Sequence, residues 1–242
     1  TSETLPNPFR TDRDGMCLGE GAGVLALERR AAGEVAGVHF FLTGFGASAD
    51  AVHITAPDRS GAGLIRAGAA ALSQAGEPDI GIVSAHATAT PYNDAAESKA
   101  IAALCPGVAV HPFKAQIGHT LGAAGVLELL AATGAMGRGV APAAFGHGEI
   151  DPEAQVTLLE RAEARDITAV LKLSAAFGGV TAALVATPTA PQPSAVPRER
   201  RAVHVVGHAH IHEVDRDAIA AASALDARRL ARVDDLGRLA LT

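Results

Sequence analysis

The sequence predicts a layered α/β domain. Short apolar runs rich in Val, Leu and Phe, bounded by glycine, alternate with stretches whose apolar residues recur at helical spacing. With 48% hydrophobic and 19% charged residues the composition is globular, and 242 residues allow one large or two small domains, each able to bury a core. Polar residues capable of chemistry gather where the apolar runs end, which is where sites collect in α/β folds.

Taken in order, Ala22 to Glu28 and Val38 to Phe45 read as strands. Ser60 is a candidate cap for a helix over 60–75, whose Leu64, Gly68, Ala71, Leu72 and Ala75 share one face and which Gly76 stops. Ile80 to Ala85 reads as a buried strand delivering His86; turn residues Thr88 to Asn93 and a helix from Asp94 to Leu104 follow. Val108 to His111 is a further short strand. The glycine-rich stretch from Lys114 to Gly125 leads into an apolar helix ending near Gly137, and 140–166 is mostly loop. Val170 to Ala175 and Val180 to Ala186 flank Phe177-Gly178-Gly179 as a hairpin, its glycines suited to positive φ. Four prolines and a basic cluster between Thr187 and Arg201 mark a linker, which gives a domain over 1–187, a linker over 188–202 and a further segment over 203–242.

Several function classes drop out. A net charge of −6 without a basic stripe argues against nucleic acid as partner. Cys17 and Cys105 are the only cysteines and form no metal-ligand spacing, so neither a disulfide framework nor a zinc site is expected, and a reducing cytoplasm is the default compartment. The apolar stretch from Leu121 to Met136 is interrupted by glycines and Glu128, short of the roughly 18 residues a membrane span needs, and Thr1 to Arg10 has no signal-peptide pattern. The glycines at 19, 21 and 23 lack the nucleotide-loop spacing, and no GxSxG elbow is present. His204, His208, His210 and His212 could ligate a metal, although nothing nearby supplies supporting partners and no metal is expected. The chain opens on Thr, and Leu241-Thr242 stops inside a helical pattern, so it reads as part of a longer polypeptide.

Three polar segments remain: SAHATATPYND over 84–94, FKAQIGHTLGAAG over 113–125 and SAAFGGVTAAL over 174–184. His86 and His119, in glycine- and threonine-rich surroundings, are candidates for a paired acid, base or neutral-donor site. On spacing alone, a lone histidine is more often a surface or satisfied core residue than a catalytic one.

RDGMCLGEGAG over 13–23, HATAT over 86–90, KAQIGH over 114–119 followed by LGAAG, and AFGG over 176–179 together resemble the β-ketoacyl synthases. The likeness covers about residues 8–187 with the motifs in the family's order. It implies the C-terminal half of a thiolase-like, layered αβαβα condensing fold. The implied reaction is decarboxylative Claisen condensation of malonyl-ACP with an acyl thioester, in fatty-acid or polyketide synthesis. By the resemblance, His86 and His119 would stabilise the enolate and Lys114 would organise them. Thr88 and Thr90 would bind the phosphopantetheine arm of the acyl carrier protein, the one prosthetic group implied, as a substrate arm. Phe177, Gly178 and Gly179 would form a gating turn at the acyl pocket, while Glu128, Asp50 and His53 would support the site from behind. The family's nucleophilic Cys lies outside this chain, on an N-terminal half or partner chain, and the family commonly dimerises. This chain alone would therefore be inactive. Val203 to Val206 and DDLGRLAL over 234–241 resemble the start of a second such unit.

The sequence departs from the family at Ala87, where glycine is usual, near Ser84, where an Asn-like residue is usual, and at Val180-Thr181. If position 87 needs positive φ, its alanine costs roughly 1 kcal/mol. These departures support an alternative, a non-catalytic chain-length-factor-like partner of an active synthase.

Overall fold

A computed structural model describes residues 5–29 and 36–190, all within the unit Thr1–Ala195. Its elements are β1 (Phe41–Ala49), α1 (Ala62–Ala75), β2 (Ile82–Ser84), α2 (Pro91–Leu104), β3 (Val110–His111), α3 (Lys114–Ile117), α4 (Ala124–Arg138), β4 (Val140–Ala141), β5 (Glu163–Ala164), β6 (Val170–Ala175) and β7 (Val180–Thr187). Five strands make a mixed sheet in the order β1-β7-β6-β2-β3, and β4 pairs with β5 apart from it. β6 and β7 form the expected antiparallel hairpin, with Ala175 opposite Thr181, and β1 adds antiparallel to β7. β2 lies parallel to both β6 and β3, pairings that require the long connections through α2 and over 112–169.

Alternation along the strands separates two cores. Val83, Leu171, Leu173, Ala183 and Val185 face Leu64, Ala67, Ala71 and Leu72 of α1 and Ala100 and Ile101 of α2. Ile82, Val170 and Ala186 point the other way, onto Leu129, Ala132, Ala135 and Met136 of α4. Helices on both faces of the sheet give a three-layer α/β/α unit. Gly44 and Gly46 let β1 approach α1 closely, since a Cβ at either would lie 2.0 Å from a carbonyl oxygen of Ala71 or Ala67.

The structure corrects several expectations. Ala22–Glu28 forms no strand among the described residues. It runs along α4 with Val24 and Leu27 exposed, because an apolar run becomes a strand only where a ladder partner satisfies its backbone. The strand expected at 38–45 is shifted to Phe41–Ala49. Gly61, in the left-handed region at φ 72°, precedes α1, and Ser60 contributes only as an acceptor for the Ala62 amide at 3.3 Å. α2 starts at Pro91 rather than Asp94, since a proline at the first helical position has its φ preset and no amide to satisfy. The linker from 191 onward, the segment 203–242 and His204, His208, His210 and His212 lie outside the described residues. No helix among the described residues is long and apolar enough to cross a membrane.

Candidate active site

His86 stands just past the C-terminal end of β2, an internal strand of the sheet, after Ala85. The chain then turns through Ala87 (φ 44°) and Ala89 (φ 60°), both left-handed, so the strain expected of an alanine at 87 is present. The turn is pinned from α2: the buried carboxylate of Glu97 accepts the His86 amide at 2.6 Å and the Ala87 amide at 2.7 Å. Thr88 and Thr90 share a hydroxyl hydrogen bond of 2.9 Å beside it. Asp94, one helical turn before Glu97, accepts the Phe9 amide at 2.9 Å; its carboxyl is pushed up to about 7 by burial, although the Phe9 amide favours ionisation.

His119 is placed by backbone. Its amide donates to the Cys17 carbonyl at 2.8 Å, and its carbonyl accepts the Gly19 amide at 3.1 Å. Glycine is needed at 19 because a Cβ there would lie 1.9 Å from the Ile117 carbonyl oxygen. The rings of His86 and His119 meet edge to face with centroids 5.5 Å apart.

Beneath them lies a buried ionic cluster. Lys114 Nζ donates to Glu128 Oε1 and to the His86 carbonyl, both at 2.5 Å, and lies 3.3 Å from His86 Nδ1. On the other side of the same carboxylate, Lys172 Nζ approaches Oε2 at 2.7 Å and donates to the Leu173 carbonyl. Burial acts to raise Glu128, but the charges and hydrogen bonds of Lys172 and Lys114 outweigh it and hold the carboxyl below its usual range. Lys114 is pushed down to about 8, by burial first and then by the charge of Lys172.

Both imidazoles are held neutral. Burial takes His86 well below its ordinary range, and the charges of Lys114 and Lys172 act in the same direction. His119 is lowered by burial and by Lys114, with Glu128 opposing. The hydrogen bonds then select the tautomers. His119 Nδ1 accepts the Leu121 amide at 3.0 Å, and His86 Nδ1 faces the donor-only ammonium of Lys114, so in both rings the proton sits on Nε2. Two neutral rings carrying Nε2–H can donate to an oxygen that acquires negative charge.

The Phe177-Gly178-Gly179 turn carries an exposed Phe177, with Gly178 and Gly179 at φ 81° and 72°. It is tied to the 50–54 loop by two backbone bonds, Asp50 N–H to Gly179 O at 2.9 Å and Gly178 N–H to Ile54 O at 2.6 Å. Asp50 also accepts the Asp58 amide at 3.0 Å, whereas His53 is an exposed turn residue whose Nδ1 accepts the amides of Thr55 and Ala56, each at 3.1 Å. The structure thus brings His86, His119, Lys114 and Glu128 together and places Asp50 behind the glycine turn. The hydrogen bonds of His53 stay within its own loop. Cys105 is buried, its thiol pushed up to about 11 by burial, as fits an inert residue.

Sequence reasoning missed Glu97 and Lys172. A lysine between leucines in a buried strand, in a chain with three lysines, is the signal that could have marked Lys172. His111, opposite Ser84 in the sheet, is a further buried polar residue; neither ring nitrogen has a partner, and burial lowers it to about 4.

The layered architecture and this constellation at the strand ends define a thiolase-like condensing-enzyme fold. Residues 39–147 match the family described as Beta-ketoacyl synthase, C-terminal domain. The chain carries a C-terminal ketosynthase segment. It is 38% identical over 193 residues to 3-oxoacyl-[acyl-carrier-protein] synthase 2 of Staphylococcus aureus (strain COL), covering 76% of this chain and 46% of that protein. Among solved structures it is similar to the ishigamide ketosynthase/chain length factor, with a TM-score of 0.71 and 34% identity over 78% of this chain and 48% of the other. It is also similar to a type II PKS acyl-carrier protein in complex with its ketosynthase bound to the hexaketide, with a TM-score of 0.72 and 26% identity over 78% and 49%. The chain spans about half the length of the relatives it matches.

Proposed function

We propose that this chain supplies the His86/His119/Lys114 part of a cytoplasmic, dimeric β-ketoacyl-ACP synthase whose nucleophilic Cys lies outside it. An acyl group waits on that Cys as a thioester. The malonyl thioester, presented on the phosphopantetheine arm of the acyl carrier protein, loses CO2; the electron pair of the broken C–C bond becomes an enolate, whose oxygen accepts the Nε2–H groups of His86 and His119. The enolate carbon then attacks the acyl carbonyl and the Cys thiolate leaves. Thr88 and Thr90 hydrogen-bond the arm, and the Phe177-Gly178-Gly179 turn opens and closes the acyl pocket with support from Asp50. The observation carrying this reading is the pair of neutral imidazoles whose Nδ1 atoms are both occupied, leaving Nε2–H as donors.

The test is His119→Ala in the native polypeptide together with its partners, reading malonyl-ACP decarboxylation. Loss of one oxyanion donor is expected to lower the rate by about 10²–10³-fold. A second reading, a chain-length-factor-like partner without catalysis, is supported by the likeness to the ishigamide ketosynthase/chain length factor and by the strained Ala87. It expects the rate to be unchanged, which would overturn the first.

A further inference from the structure

Lys172 is the part of the cluster that neither folding nor simple charge pairing explains. On β6 it falls between Leu171 and Leu173, which enter the core under α1, so alternation turns it toward α4, on the side where Val170 is apolar. There it meets a carboxylate that is already neutralised, because Glu128 Oε1 is held by Lys114. Burying a second ammonium on a paired carboxylate costs desolvation without completing a pair, so stability alone does not account for it. The other nearby carboxylate, Glu97, is committed to the amides of His86 and Ala87.

We propose that Lys172 is a positioning residue of the His86/His119 site: by holding Oε2 of Glu128 it leaves Lys114 directed at His86 and places a second fixed positive charge behind the two rings. The proposal rests on the ketosynthase reading above and adds to it the group that sets the electrostatics of the donor pair. The charged and titratable groups facing this cluster are Lys114 from α3, Glu128 from α4, Glu97 from α2, His86 after β2, His119 after α3 and His111 at the end of β3. Lys172 acts on both site histidines in the sense that disfavours imidazolium, so the Nε2–H donor form persists to lower pH than Lys114 alone would allow.

The experiment follows the histidine titrations by NMR in the native polypeptide with its partners, alongside the pH profile of malonyl-ACP decarboxylation. In Lys172→Met, the His86 and His119 titrations are expected to move up by about 1 pH unit, with the acid limb of the rate following them. Lys172→Arg, which keeps the charge, is expected to return both to the wild-type position. If Lys172→Met does not fold, Lys172→Gln is expected to give the same upward shift. Titrations unchanged in a folded Met or Gln variant would overturn the proposal, and so would failure of both to fold, which would make Lys172 a structural residue. The underlying reading fails separately: if His119→Ala leaves decarboxylation intact while Lys172→Met still shifts the rings, Lys172 sets the rings' charge state but the catalytic assignment is wrong.

Discussion

The two faces of the central sheet are built from the same strands, and each covers an apolar core, but they differ at the strand ends. Toward α1 and α2, β2 and β6 send Val83, Leu171 and Leu173 into an apolar core. Toward α4, the alternate residues Ser84 and Lys172 of the same strands sit in register with each other and reach a cluster of buried charge centred on Glu128. Both faces gain stability from area removed from water, the α4 face through Ile82, Val170 and Ala186. The α4 face in addition accepts desolvation in exchange for a fixed field at the strand ends, where His86 and His119 meet.

Breaking the charged face should have the largest effect. Glu128→Ala removes the carboxylate that two buried ammoniums share and is expected to cost about 3–5 kcal/mol, measured by denaturant unfolding. A loss below about 1 kcal/mol would mean that the lysines find other partners. On the apolar face, Leu171→Ala is expected to cost about 2–5 kcal/mol through lost burial and a cavity, while the acid limb of decarboxylation stays where it is. The contrast is sharpest in the triple variant Lys114→Met, Glu128→Leu, Lys172→Met. Replacing the whole ionic group by apolar residues is expected to keep stability within about 2 kcal/mol of wild type or to improve it, with decarboxylation lost. A triple variant as unstable as Glu128→Ala would make the cluster structural.

Asp94 gives a smaller, pH-dependent effect. Its folded carboxyl titrates near 7 against an ordinary 3.8, so the folded state binds the proton more tightly than the unfolded chain. The associated stability is fully present below about pH 4 and is lost as pH rises toward 7. Asp94→Asn keeps an acceptor for the Phe9 amide and is expected to flatten that slope; an unchanged slope from pH 4 to 7 would show that another group carries it. Smallest is Ala87→Gly, which relieves a left-handed alanine and is expected to stabilise by about 1 kcal/mol or less. A destabilised variant would mean that the gain in unfolded-chain entropy outweighs the strain.

Much of this was legible from residues alone. The β6–β7 hairpin and helix α1 follow from glycine placement and periodicity, and His86 and His119 stand out by residue type and surroundings, whereas Lys114 and Glu128 are reached only through the family resemblance. The remainder was hidden for physical reasons. Ala22–Glu28 has a strand's composition, but pairing is a property of two segments, and no partner is supplied among the described residues. Glu97 sits in a helix of small residues, where an acidic side chain reads as a solvated face until the loop it caps is seen. Lys172 required knowing which side of β6 faces α4, which depends on register.

The lysines have one further consequence. The chain holds three, and while Lys114 and Lys172 are buried, Lys99 is exposed with its ammonium donating to the Arg59 carbonyl at 3.1 Å. An amine-directed acylating reagent applied to the native fold therefore finds one lysine side chain, and modifies the other two only when the layer between α4 and the sheet opens. The rate at which acyl groups appear on Lys114 and Lys172, read by peptide mass, is a clock for that opening that needs no engineered label.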